Sequence, residues 1–308
     1  MRHRSPCDRK CSYLVFLDNA SGPADELREL AAYLSEIAIS DFEVIVVDGS
    51  APEALEQNRR VLRWVGRHLA APQHVDVVRA AIDLSSCDKV IVADSKTRYS
   101  LSVLDDLTSL LEVHEVVEPQ DYFDPLPWWI SPLTDHGSTF GFRKRAVRGL
   151  RSLDHNVTGP DSVRRLASQG AEVFTTMRLF VRRIPPAFSE WIRDLPRRAD
   201  EELAMPARAA LFFMLLPAIV GIALTGGLRM AGAFAGALAF TSIVLAMRGR
   251  MGAGRFFLWR ACLIAPLWIL QRSASIYFAV LWRVSGGGEP RRIPIAVRAD
   301  GKQAATGK

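Results

Sequence analysis

Three aspartates follow three apolar runs: Asp18 comes just after SYLVFL (12–17), Asp48 after FEVIVV (42–47) and Asp94 after KVIVA (89–93). Short, near-continuous apolar runs are the pattern of strands buried on both faces. In open α/β sheets, ligands bind beyond the carboxyl ends of the strands. Any one Asp there could be a turn or helix-cap residue; three at equivalent ends point to a shared polar edge. Lys96 follows two residues after Asp94. Asp161 opens a helical pattern, DSVRRLASQ, closed by Gly170, a position that suits a helix cap. Trp128 and Trp129 could stack on the flat face of a ligand or fill a core lid. His136 is either an exposed loop residue or a general base. Cys7 and Cys11 have no second Cys/His pair at ligand spacing, so a structural zinc site is not supported. The segment after the first strand reads DNASGP and lacks G-x-G-x-x-G, which argues against a dinucleotide-dependent dehydrogenase.

The elements that position these residues alternate. Helical spacing is expected over 23–37, 53–69 and 79–86, with strands at 12–17, 42–47, 75–78 and 89–93. A strand then precedes a helix beginning at Lys144, and further strands are expected at 171–176 and 179–181. Strand and helix in alternation predict an α/β fold with a mostly parallel sheet. YFDPLPWW (122–129) reads as a loop lining a cleft, and Pro185-Pro186 ends this part. The domain boundaries expected are a basic arm at 1–11, an α/β domain at 12–200, a transmembrane hairpin at 201–255, an amphipathic helix at 256–284 and a basic flexible tail at 285–308.

Composition divides along the same line. The 308 residues carry a net +6, but residues 1–200 hold 26 Lys+Arg against 29 Asp+Glu, and residues 201–308 hold 13 against 4. The positive charge belongs to the apolar third, which suits a bilayer better than nucleic acid. Residues 209–228 and 230–247 are free of charge, and each is long enough to cross about 30 Å of hydrocarbon. Arg229 alone separates them. The following loop carries Arg248, Arg250 and Arg255, so the positive-inside rule places it in the cytoplasm. The N-terminus lacks a signal-peptide core, which keeps the α/β domain on the same side. Residues 256–284 place Arg260, Gln271, Arg272, Ser275 and Arg283 in one arc, with Trp259, Trp268 and Trp282 along the helix. That helix either lies in the interface or forms a third crossing. Cys87 and Cys262 are expected unbridged, and the cysteine usage fits a reducing compartment.

The ordered segments FEVIVVDGS, KVIVADSKTRY, DPLPWW with GSTFGFRKRAV, RRIPPAFSEWIRDLPRRADEELAMP and APLWILQRSASIYFAVLWRV resemble those of a family 2 glycosyltransferase. The branch resembled is bacterial, with a GT-A fold and C-terminal membrane helices, and the similarity covers about residues 12–290. It implies a GT-A-like (Rossmann-like) sheet with flanking helices, a nucleotide-sugar donor and a lipid-linked or membrane-proximal acceptor. It also implies a multi-pass protein of the cell membrane with its N-terminal domain in the cytoplasm. By resemblance, Asp18, Asp48, Asp94, Lys96 and Arg197 bind the donor, Asp94 holds a divalent cation (Mg2+ or Mn2+), Asp161 is the catalytic base and His136 serves the acceptor side. Three positions depart from the pattern. Lys96 stands where an acid is expected, Asp194-Leu195-Pro196-Arg197 replaces Gln-x-x-Arg, and 156–160 holds no second acid. Lys96 could itself pair with the diphosphate. The departures equally admit a catalytically inactive relative that serves as a partner or scaffold in a membrane glycan-assembly complex.

Overall fold

A computed structural model describes residues 9–17, 24–70, 75–130, 139–147, 163, 166–167, 170–192, 195, 206–251 and 253–284. Apolar runs form β1 (Cys11–Leu17), β2 (Phe42–Asp48) and β4 (Lys89–Asp94), all with buried interiors. Between them lie α1 (Ala24–Ile39), α2 (Pro52–Val61), β3 (Arg67–Ala70) and α3 (Val75–Leu84). The expected helix at 53–69 is shorter than its pattern. It stops at Val61, and beyond Gly66 the chain becomes β3, parallel to β2. The strand expected at 75–78 is instead the start of α3. Then come β5 (Thr97–Arg98), α4 (Leu101–Val113), β6 (Val116–Phe123), β7 (Phe140–Arg143), α5 (Lys144–Val147) and β8 (Val173–Arg183). The two strands expected at 171–181 are one strand, β8. Its register against β6 shifts between Glu118 and Gln120, as at a bulge.

The sheet runs β3-β2-β1-β4-β7-β6-β8-β5. β3, β2, β1 and β4 are parallel neighbours and β6 pairs β8 in parallel; β7 and β5 join antiparallel. The placement of β5 forces the sheet to curl. Thr97 lies three residues beyond Asp94, a reach of about 10 Å. Yet β5 stands four places from β4 in the strand order, about 19 Å in a flat sheet. Only a curled sheet brings β8, with Arg183 opposite Thr97, back to the end of β4.

Each face carries a core. Tyr13, Val15, Val46 and Ile91 pack on Leu30, Leu34 and Ile37 of α1 and on Leu104, Leu107 and Leu111 of α4. Leu14, Ile45, Val90 and Val92 pack on Ala81 and Ile82 of α3 and on Phe140 and Phe142 of β7. Gly141 lets β7 lie close on α4: a Cβ there would stand 2.8 Å from Leu111 Cδ1, and the Leu111 side chain would have to shift. Cys11 and Cys262 are free thiols. Cys87, expected unbridged, is disulfide-bonded, which corrects that part of the sequence reading.

The C-terminal helices are α6 (Pro206–Gly249), α7 (Trp259–Cys262) and α8 (Ala265–Val284). Residues 209–249 of α6 are long and apolar enough to cross a membrane. Gly227 interrupts α6 with φ 78° and ψ 170°, a conformation open to glycine at little cost. Pro217 lies inside α6 and has no N–H to give the Phe213 carbonyl one turn back. α8 meets that gap. Tyr277 Oη donates to the Phe213 carbonyl, and Ser273 Oγ, one turn earlier, donates to the Phe212 carbonyl at 2.5 Å. In a lipid environment an orphaned carbonyl such as that of Phe213 must be satisfied by a neighbouring side chain. Ser273 is buried by this contact, Ser275 is buried with its hydroxyl on the Gln271 carbonyl, and Leu267, Leu270, Phe278 and Leu281 form the exposed face of α8. Of the expected polar stripe, Ser275 turns toward protein. Tyr277→Phe should lower the melting temperature of the detergent-purified chain, at a cost of about 1 kcal/mol. The loss should shrink in a Pro217→Ala background, where the restored N–H serves the carbonyl. An equal loss in both backgrounds contradicts this account.

Candidate functional site at the carboxyl edge of the sheet

Asp48 and Asp94 end the strands on either side of β1, in register with Leu17 and Phe16. Two strand spacings, about 10 Å, separate them. Both therefore lie on the sheet's carboxyl edge. Each has its own partners.

Asp48 is buried. Its Oδ1 accepts the Ser50 backbone N–H at 3.0 Å, and its Oδ2 accepts Asn58 Nδ2 at 2.9 Å and His68 Nε2 at 3.0 Å. Asn58 also donates to Ser50 Oγ at 3.2 Å. A carboxylate only accepts, so His68 carries a hydrogen on Nε2. Burial opposes ionisation of Asp48, but hydrogen bonds from His68, Ser50 and Asn58 outweigh it and hold the carboxyl below its ordinary value. Asp48 thereby fixes the β2–α2 turn against β3.

Asp94 anchors the other half. Its Oδ1 accepts the Lys96 backbone N–H at 3.1 Å and Thr97 Oγ1 at 2.5 Å, and its Oδ2 pairs with Arg183 Nη2. Arg183 also lies 3.8 Å from Asp121 Oδ2, with its guanidinium over the Phe123 ring at 5.6 Å. Burial disfavours the Arg183 charge, and Asp94 and Asp121 more than compensate, raising its pKa. Lys96 Nζ reaches Glu190 Oε2 at 2.6 Å, and the same oxygen accepts the Ala187 N–H at 3.3 Å. Arg98 Nη1 donates to the carbonyls of Ser95 and Thr97 at 2.6 and 3.0 Å, bracing the turn from within. Below it, Tyr33 accepts the Tyr99 N–H at 2.7 Å and meets Tyr13 Oη at 3.2 Å; burial pushes the Tyr33 hydroxyl up to about 12.

The structure thus brings Asp48, Asp94 and Lys96 to one edge. Asp18, His136, Asp161 and Arg197 lie outside the described residues. Sequence reasoning missed Asn58, His68, Asp121, Arg183 and Glu190. The signal for Arg183 was its alternation with the buried Leu179 and Val181, which puts a charged residue in a core-facing register of β8.

A divalent cation, which the resemblance implies at Asp94, does not fit these residues. Three of the carboxylate's roughly four acceptor positions are taken, and the remainder adjoins the Arg183 guanidinium. An incoming ion would have to take the place of that guanidinium on the carboxylate and leave Arg183 buried with only Asp121 beside it. Position 96 adds an ammonium where a ligand acid would be needed. Among the described residues, no group of three or more His, Cys, Asp or Glu is placed to hold a metal ion.

The loop after β6 joins this edge to the apolar helices. Leu126 packs with Ala246, Ala261, Cys262, Ala265 and Trp268, and Trp268 Nε1 donates to the Trp128 carbonyl at 3.1 Å. Phe256 stacks on Phe180 and meets Tyr122. Trp129 packs beside Phe123, Ile130 and Trp191, whereas the Trp128 ring is 65% exposed beside Phe188. Of the two readings for the tryptophan pair, Trp129 fills a core, and Trp128 keeps an open face.

No protein-family model matches the chain, and no curated protein sequence does. Solved structures do. A mannosyltransferase from Pyrobaculum calidifontis, in complex with GDP-Man and Mn2+, is 15% identical with a TM-score of 0.51, over 89% of each chain. Glucosyl-3-phosphoglycerate synthase from Mycobacterium tuberculosis, in complex with Mg2+ and UDP, is 14% identical with a TM-score of 0.42, over 60% of this chain and 74% of the other. The fold is GT-A-like.

The depressed pKa of Asp48 has a defined sign. Its stabilisation is full above the unfolded carboxylate value of about 3.9 and is lost as pH falls through the lower folded value. Near-UV circular dichroism of the purified chain should show weakening stability below about pH 4. Asp48→Asn, which presents an amide to surrounding donors, should cost about 1–3 kcal/mol at neutral pH and flatten that part of the profile. A variant with wild-type stability and an unchanged profile contradicts the assignment.

Proposed function

We propose that the chain is a membrane-anchored glycosyltransferase that moves a sugar from a nucleotide-sugar donor to a lipid-linked or membrane-proximal acceptor. The observation that carries this reading is the likeness to the mannosyltransferase crystallised with GDP-Man, over 89% of both chains. The sheet and its helices end before Pro206, so a match of that extent reaches into the C-terminal helices.

In this reading the nucleoside sits over the edge made by Asp18 and Asp48, with the diphosphate toward Lys96 and Arg197. An acceptor hydroxyl attacks the anomeric carbon. As the new C–O bond forms, the bond from that carbon to the diphosphate oxygen breaks and its electron pair leaves with the nucleotide. The hydroxyl proton passes to Asp161 as general base, with His136 on the acceptor side. The open face of Trp128 offers a surface to the sugar or to the acceptor.

Several contacts support the membrane part. A straight helix would separate Phe212 from Ala246 by about 51 Å. Yet Ala246 packs with Ala265 and Trp268 of α8, while Phe212 meets Ser273, one to two turns further along the same helix. Folding back at Gly227 reconciles the two, giving a hairpin of 209–228 and 230–247. The arginines of 248–255 and the α/β domain then lie on the cytoplasmic side. The exposed apolar face of α8 suits the headgroup region, and its Trp268 holds the loop that borders the site.

The full engagement of Asp94 favours a second reading, an inactive relative acting as a membrane partner. A panel of nucleotide sugars, tested for hydrolysis and transfer by the detergent-purified chain, separates them. Turnover of one donor is expected, with kcat reduced about 10²–10⁴-fold in Asp161→Asn. Nucleotide binding without turnover of any donor, with lipid acceptors supplied, supports the inactive partner and rejects the enzyme.

A further inference from the structure

We infer that this site takes the diphosphate of its donor without a divalent metal, using Lys96 as the leaving-group cation, with Glu190 as its resident counter-anion. The inference rests on the nucleotide-sugar reading above and concerns the same edge of the sheet.

The positions of charge carry the argument. Asp94, the acid that would begin a metal site, is committed to the chain itself. Arg183 binds its Oδ2, and Thr97 with the Lys96 N–H binds its Oδ1. Arg183 is shared with Asp121 and seated over Phe123, so it is a built-in cation rather than a group free to leave. Its pairing with Asp94 also removes the carboxylate charge that would repel an incoming diphosphate. Lys96 differs. Its side chain is 34% exposed, as is that of Glu190 at 43%, and a single ion pair joins them. The Lys96 backbone is pinned by Asp94 and the turn by Arg98, so the ammonium is aimed by a rigid turn while its tip stays accessible. A diphosphate arriving at the strand edge can displace Glu190 and take the ammonium. When the bond from the anomeric carbon to the diphosphate breaks, the electron pair stays on an oxygen facing Lys96, a fixed positive charge placed where negative charge develops. Glu190 lies in the short helical segment at 188–192, whose Phe188 and Ile192 are exposed and whose Trp191 is buried.

Isothermal titration of the full-length, detergent-purified chain with UDP and with GDP tests this, each in excess EDTA and in Mg2+ or Mn2+, with uridine and guanosine as controls. One diphosphate is expected to bind with affinities within about two-fold in the two conditions. Lys96→Met should weaken that diphosphate about ten-fold or more and leave the nucleoside unchanged. Glu190→Gln removes the competing anion while keeping an acceptor for the Ala187 N–H, and should tighten the diphosphate about three-fold. Weakening of about ten-fold in EDTA overturns metal independence while leaving the donor reading standing. Wild-type diphosphate affinity in Lys96→Met, or unchanged or weaker affinity in Glu190→Gln, overturns the assigned roles. Binding of neither nucleotide in any condition overturns the donor reading, and this inference with it.

Discussion

The pairing of Arg183 with Asp94 and Asp121 is the constraint on which the candidate site depends. It joins the end of a central parallel strand to the last residue of β8 across a curled sheet. A guanidinium this buried would be costly without its two carboxylates, and either carboxylate would be costly without it. Together they commit Asp94 to a structural role and leave Lys96, two residues on, as the accessible charge. A site that in the resembled family would be built round an acid and a bound ion is here built round two cations of the chain.

The second organising feature is the loop after β6. Leu126 enters the cluster beneath α7 and α8, Trp129 enters the small core with Trp191, and Trp128 gives its carbonyl to Trp268. The carboxyl edge of the sheet and the apolar helices are thus tied through one short aromatic segment. The helices satisfy their own backbone in turn: Tyr277 and Ser273 serve the carbonyls around Pro217. A proline inside a long apolar helix is tolerable only with such partners nearby.

Much of the fold was legible because buried parallel strands announce themselves. FEVIVV, KVIVA and SYLVFL are too apolar and too short for anything else, and each forms a strand within a residue of its expected end. The pattern failed where local periodicity competed with long-range pairing. Residues 67–69 read as the end of a helix, but β2 offers that segment a parallel partner and Asp48 accepts a hydrogen bond from His68. Ser100 caps α4 by accepting the Val103 N–H, a signal present in the sequence but not read. The edge acids were legible as acids at strand ends. Their partners were not: Asn58 and His68 reach Asp48 only because 67–70 pairs with β2 as a strand, and Arg183 reaches Asp94 and Asp121 only through the curl of the sheet and the return of β8. Position 96 was legible as a departure, but Glu190, 94 residues away, could not be assigned to it without the fold.

The central claim is that a sugar nucleotide lies along the carboxyl ends of β2, β1 and β4. Photo-crosslinking with azido derivatives of UDP- and GDP-sugars, followed by peptide mapping of the full-length protein, tests it most directly. The account predicts label on the peptides holding residues 48–58 and 94–98, suppressed by excess unmodified nucleotide. Competable label confined to other segments, or none from either nucleotide, contradicts it.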